Sequence, residues 1–216
     1  IPENAYGHAA SLAMYQDLVI IQFDQGGRDD GKSRLIAIDG ATGKTAWKVP
    51  RQVPNSWASP IVVRGGPEGR DQVVTAANPF VIAYNPADGA ELWRAKCLQA
   101  DVGPSPTFRD GVVYVANEFP QLTAIRADGT GDVTESHILW TGEDGLPDTC
   151  SPLASKKYLF LLASYGILTC YDRQSGEWLW EMEFDAHFYS SPSLVGERVY
   201  LFGEVEKPEE EMTDED

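Results

Sequence analysis

Apolar residues along this chain fall in short runs of four to seven, punctuated by glycine, proline and aspartate, and no run is long enough or spaced correctly for an amphipathic helix. The second of several similar stretches shows the grammar. Trp57 to Val63 predicts a first strand, a turn through Gly65, Gly66, Pro67, Gly69 and Asp71 follows, and Gln72 to Ala77 predicts a second strand. Phe80 to Asn85 is a third, Pro86-Ala87-Asp88-Gly89 a tight turn, and Glu91 to Cys97 a fourth. These make a four-stranded antiparallel meander, with strands named A to D from the inside outward. Further B strands are predicted at Leu18 to Phe23, Val112 to Asn117, Tyr158 to Ala163 and Arg198 to Phe202. Segments such as VVYVAN and YLFLLAS are nearly continuous apolar runs, the pattern of strands buried on both faces.

The meander recurs. Four phrases end in tryptophan, AIDGATGKTAW at Trp47, AYNPADGAELW at Trp93, AIRADGTGDVTESHILW at Trp140 and CYDRQSGEWLW at Trp180, and a Ser-Pro pair follows each: Ser59-Pro60, Ser105-Pro106, Ser151-Pro152 and Ser191-Pro192. Two markers in phase at a period of 40 to 47 residues predict an all-β propeller in which each repeat is one four-stranded blade. Blades are expected at 6–50, 51–98, 99–142 and 143–186, with strands A and B of a fifth at 187–203, so about 4.5 blades. The turn glycines Gly43, Gly89 and Gly176 let the C to D hairpin close, and each tryptophan is expected to clamp its blade to the next. The third copy carries an insertion, residues 127–135, expected to protrude from the C to D face.

Composition narrows the functions. The net charge of −16 includes −7 from Glu204 to Asp216, a segment expected to be an acidic loop or disordered tail, and the body stays anionic. Nucleic acid is therefore not an expected partner, because binding it needs clustered cations. No apolar run reaches the ~18 residues that span a bilayer, so no direct membrane insertion is expected. Cys97, Cys150 and Cys170 form neither a disulfide framework nor a metal spacing. Cys170 stands where the other copies have Ala37, Ala83 and Ala124 and is expected to be a small core residue. An oxidising compartment would permit a Cys97 to Cys150 bridge.

The pattern A-x-D-x-x-x-G-x-x-x-W with its following Ser-Pro resembles the repeat of the PQQ-like β-propellers. That superfamily includes the quinoprotein alcohol dehydrogenases and the lipoprotein of the bacterial outer-membrane assembly machine. The wording of GHAAS, PNSWASP, SYGILTCYD and FYSSPSLVGERVYL is similar to exported bacterial PQQ-like repeat proteins. The resemblance implies a periplasmic or extracellular location and a ring of seven or eight blades. Closing that ring calls for further blades of a longer chain or for a second copy. It also raises pyrroloquinoline quinone with calcium as a cofactor, although the adjacent cysteine pair typical of that site is missing, and no cofactor is expected.

Propeller geometry places D to A and B to C connections on one face. There the sequence puts Asn55, Trp57, Asn78, Asp101, Asn117, Glu118, Asp148, Tyr165, His187 and Tyr189 as candidate ligand-binding residues, with Tyr6 and His8 approaching the first blade. Such polar and aromatic residues suit a protein or glycan partner, and a non-catalytic scaffold is the expected function. The alternative is an enzyme, either a quinoprotein oxidoreductase or a carbohydrate-active propeller using Asp148, Glu118 or His187. Gly26 to Ser33 fits the phosphate-loop pattern GxxxxGKS but leads into a predicted strand rather than a helix, which argues against nucleotide binding.

Overall fold

A computed structural model describes Asn4 and residues 6–205. All but the first two residues of the acidic segment 204–216 lie outside that range. Four antiparallel sheets follow one another. The first comprises β1 (Ala13–Tyr15), β2 (Leu18–Phe23), β3 (Arg34–Asp39) and β4 (Thr45–Pro50). The second is β5 (Ile61–Val63), β6 (Gln72–Ala77), β7 (Phe80–Tyr84) and β8 (Glu91–Lys96). The third contains β9 (Thr107–Arg109), β10 (Val112–Val115), β11 (Leu122–Arg126) and β13 (Ile138–Gly142), and the fourth β14 (Leu153–Ala154), β15 (Tyr158–Leu162), β16 (Ile167–Asp172) and β17 (Trp178–Glu183). A hairpin, β18 (Ser193–Val195) with β19 (Arg198–Tyr200), begins a fifth. The result is a partial, unclosed propeller. Among the described residues no helix is long and apolar enough to cross a membrane.

Burial follows from stacking. Every residue of β6 is buried because blades press on both faces, whereas β2 and β3 in the first sheet alternate buried with half-buried positions, as one covered face dictates.

The repeated phrase has a local explanation. In each of the four sheets strand D carries an irregularity one step before its tryptophan, and the tryptophan then pairs with the small residue of strand C: Trp47 with Ala37, Trp93 with Ala83, Trp140 with Ala124 and Trp180 with Cys170. The bulge re-aims the indole and the small partner leaves it room. The Asp or Asn of the phrase folds the turn by accepting backbone N–H groups, from Thr42 to Asp39 at 2.7 Å, Ala87 to Asn85 at 3.0 Å and Ser175 to Asp172 at 2.9 Å. Thr42 hydrogen bonds hold Asp39 below the usual carboxylate range.

Trp47 then reaches the next blade. Its Nε1–H donates to the Pro86 carbonyl at 3.0 Å, and its ring covers Gly89, where a Cβ would lie 2.7 Å from it. Trp140 covers Gly176 in the same way. Trp93, fully buried, uses a relay: its Nε1–H donates to Gln72 at 2.7 Å, and the Gln72 amide donates to Ala127 at 2.8 Å.

The Ser-Pro pairs link blades nearer the axis. The N–H of Ser11 donates to Ser59 Oγ, that of Ser59 to Ser105 Oγ, that of Ser105 to Ser151 Oγ and that of Ser151 to Ser191 Oγ, at 2.8 to 2.9 Å. This explains why strand A of the second sheet starts at Ile61 rather than at Trp57. Ser59 gives its N–H to the next blade and Pro60 has none to give.

One expectation needs correction. The insertion does not protrude: β12 (Gly131–Asp132) lies parallel along β8, pairing Gly131 with Trp93 and Asp132 with Arg94, and Val133 is buried beneath it. The insertion thus supplies the cover that Trp93 would otherwise lack. Cys97 and Cys150 are separate buried thiols, not a bridge. Trp180 is 38% exposed, with its ring 6.1 Å from that of Phe160 in the same sheet, and no C to D hairpin of a fifth blade lies among the described residues.

Candidate functional site

The strand ends sort the loops as the chain order requires. On one face Gly40 N–H meets the Asp17 carbonyl and Ala127 N–H that of Gly111, so A to B and C to D turns lie together. On the opposite face the D to A loops are tied to the ends of B strands: Cys97 N–H donates to Pro79, Asn117 Nδ2 to Gln99 at 2.7 Å and Asp101 at 3.2 Å, and Phe188 N–H to Ser164. The candidate residues all belong to these second connections.

Their roles divide. Asn117 is buried, its amide nitrogen serving the loop carbonyls while its Oδ1 has no hydrogen-bond partner. Asn55 is half-buried and its N–H bonds the Gly26 carbonyl. Trp57 donates its Nε1–H to Gly7 at 3.0 Å and lies 5.3 Å from the Tyr6 ring, so the aromatic pair folds the approach to the first blade over the second. His8 stacks on Phe23. Asn78 lines a cavity of about 370 Å³ with Arg28, Lys96, Gln99 and Gln121.

The structure brings Asp148, Glu118 and Tyr165 into electrostatic range. Burial disfavours the ionised form of Asp148, but hydrogen bonds from Ser164 N–H at 2.9 Å and Ser164 Oγ at 2.5 Å outweigh it and hold the carboxyl below its ordinary value. Tyr165 is 55% exposed, and burial of its remainder, followed by the charges of Asp148, Glu118 and Glu181, pushes its phenol up. Tyr189 is 69% exposed, and His187 is exposed with its backbone paired to Glu204. Asp101 is exposed and contributes its carbonyl to Asn117. Phe119, exposed at the B to C turn beside Glu118, was not singled out from the sequence, although its place before Pro120 matches that of Asn78 before Pro79.

Other candidate chemistry is absorbed by the fold. Asp24 gives both carboxylate oxygens to Arg51, at 2.7 and 3.1 Å, and also accepts from Gln22 and Ser56, a buried network between the first two blades. In the GxxxxGKS stretch the Asp30 carboxylate accepts the Gly27 N–H at 2.8 Å, occupying a donor that a phosphate would need, and Arg34–Asp39 follows as a strand. Among the described residues the donors do not fit a quinone and calcium site. All three thiols are free and buried, Cys97 in the core of the second and third sheets and Cys150 with Cys170 in that of the fourth, burial pushes Cys97 up to about 12 and Cys150 up to about 11, and Trp57 is committed to Gly7 and Tyr6.

The sequence family described as outer membrane protein assembly factor BamB matches residues 31–154 and 136–207. The chain belongs to that family. The BamB of Moranella endobia (strain PCIT) is 26% identical over 162 residues, which cover 70% of this chain and 40% of that protein. The chain thus spans less than half the length of this curated relative. BamB from Moraxella catarrhalis superposes with a TM-score of 0.64 at 18% identity, covering 88% of this chain and 57% of the other. Quinohemoprotein alcohol dehydrogenase from Comamonas testosteroni gives a TM-score of 0.63 at 14% identity over 85% of this chain and 42% of its own. At these identities the two structures show a shared fold, and fold alone does not assign chemistry.

Proposed function

We propose that this chain is a non-catalytic scaffold that binds protein and takes part in the assembly of outer membrane proteins, outside the cytoplasm. Membership of the family carries this reading. The B to C and D to A loop face supports it physically. Tyr165 and Tyr189 stand exposed on loops that backbone hydrogen bonds already fix, so little conformational entropy is lost when a partner covers them. Tyrosine supplies both apolar area and a hydrogen-bonding tip. Asp148 and Glu118 beside it favour partner segments carrying Lys or Arg.

The test is site-specific photocrosslinking with an unfolded outer membrane protein as probe. A photoreactive residue at Tyr165 or Tyr189 should capture the probe, and one at Thr42 or Asp88 on the opposite face should not. Equal capture from both faces contradicts the assignment of the face. Quinone absorbance retained after desalting the chain with pyrroloquinoline quinone and calcium would instead favour the oxidoreductase reading.

A further inference from the structure

With 33 acidic residues against 17 lysines and arginines, this chain offers its cations a surplus of carboxylate partners. Arg28 and Lys96 take none, and both line one cavity of about 370 Å³. Arg28 lies over the Phe80 ring, 5.4 Å from its centroid, and among the described residues neither it nor Lys96 enters an ion pair. Arg94, over the same ring at 4.9 Å, is by contrast neutralised by both oxygens of Glu91.

The cavity lies on the loop-face side where the second sheet meets the third, two sheets with described sheets on either side of them in the chain. Among the described residues no carboxylate lines it; Asp29 lines a neighbouring cavity with Arg94 instead. Asn78, Gln99 and Gln121 contribute amides, and buried Pro79 and Leu98 contribute apolar surface. Backbone bonds hold these walls in place. The N–H groups of Cys97 and Leu98 both donate to the Pro79 carbonyl, at 3.0 and 3.1 Å, Gln99 N–H donates to Phe119 at 3.3 Å, and Asn117 Nδ2 donates to the Gln99 carbonyl at 2.7 Å. A site fixed before binding loses little conformational entropy when it is filled.

We propose that this cavity binds the phosphate monoester of a small polyhydroxylated molecule, the class of the sugar phosphates. Two unpaired cations call for a ligand carrying two negative charges. A phosphate monoester approaches that charge above its second pKa, about 6, whereas a single carboxylate would leave one cation unmatched. The Arg28 guanidinium offers phosphate oxygens a planar fork of N–H donors and Lys96 a compact charge. The three amides suit hydroxyl groups, which both donate and accept. The volume falls within the roughly 300 to 1,000 Å³ of small-molecule sites. The proposal goes beyond the scaffold reading and does not rest on it.

The test is isothermal titration calorimetry of the 216-residue chain with glucose 6-phosphate as the probe. Saturable binding is expected, absent with glucose and weakening as pH falls below about 6, where the phosphate becomes a monoanion. Arg28→Gln and Lys96→Gln should each weaken it roughly tenfold or more, as for a lost hydrogen bond to a charged group. Lys44→Gln, the same change of charge on a C to D turn of the opposite face, should bind as the parent does. All three side chains are exposed, so the variants should keep the parent's circular dichroism spectrum. No saturable binding overturns the proposal, and so do equal affinities in the three variants, which would mark general attraction of an anion. Binding to vesicles containing phosphatidate without binding of glucose 6-phosphate also overturns it, in favour of a lipid headgroup. Failure of photocrosslinking from Tyr165 and Tyr189 with glucose 6-phosphate binding intact would count against the scaffold reading alone.

Discussion

The backbone N–H of Ser59 donates to the hydroxyl of Ser105 across a blade boundary at 2.9 Å, and the same bond recurs at each neighbouring boundary. The serine is thus an acceptor for the preceding blade, which a threonine can imitate and an alanine cannot. Ser105→Ala should leave the half-buried Ser59 N–H unpaired and lower stability by about 1 to 3 kcal/mol, with Ser105→Thr closer to the parent. Urea unfolding midpoints measure the difference. Equal stability of the alanine variant would show that the bond carries no net energy.

Gly89 is constrained twice, by φ of +76° and by the Trp47 ring above it, whereas Gly43 has φ of +68° and open space. Gly43→Ala should cost about 1 kcal/mol for the left-handed backbone alone. Gly89→Ala should cost about 1 to 3 kcal/mol more, because the ring must move. Thermal unfolding of the pair isolates the clamp, and equal losses would remove it from the account.

Trp93 is fully buried and hydrogen-bonded to Gln72, while Trp180 is partly exposed. Trp93→Ala should lower stability by about 3 to 5 kcal/mol, as for large aromatics lost from a core. Trp180→Ala should cost less than about 1 kcal/mol, the range of surface changes. Chemical denaturation of both variants gives the comparison.

Asp148 titrates below its ordinary value because Ser164 donates to its ionised form. A carboxyl depressed in the folded state stabilises the protein above its unfolded pKa, about 3.9, and that contribution is lost as pH falls through the folded pKa. Asp148→Asn should therefore be less stable than the parent by about 1 kcal/mol at pH 6, with the gap narrowing below about pH 4. A gap independent of pH between 6 and 3 would assign the effect to packing instead.

Much of this architecture was legible because the repeat is written in residues with single jobs. Asp39, Gly89 and Trp47 each announce a turn, a close approach and a clamp, and β2 was predicted at its observed bounds, Leu18–Phe23. What escaped prediction depends on where a segment lands. The third turn carries ordinary polar residues, and nothing local in Gly131 and Asp132 says that they will pair with β8 of the preceding blade. The candidate face was placed by chain order, but Asn117 and Glu118 are adjacent and opposite in character. One is buried under a loop and the other exposed, because burial is decided by the neighbouring blade. The buried Asp24–Arg51 pair joins residues 27 positions apart and has no sequence period to betray it.

The central claim is radial stacking of β meanders, with the Trp180 indole of the fourth sheet partly exposed among the described residues. Hydrogen exchange of the indole N–H groups, followed by nuclear magnetic resonance in the 216-residue chain, tests it most directly. The account predicts strong protection of Trp93 Nε1–H, bonded to Gln72 in a dry interior, and fast exchange at Trp180. Comparable exchange at the two rings, or protection of Trp180 above Trp93, would contradict it.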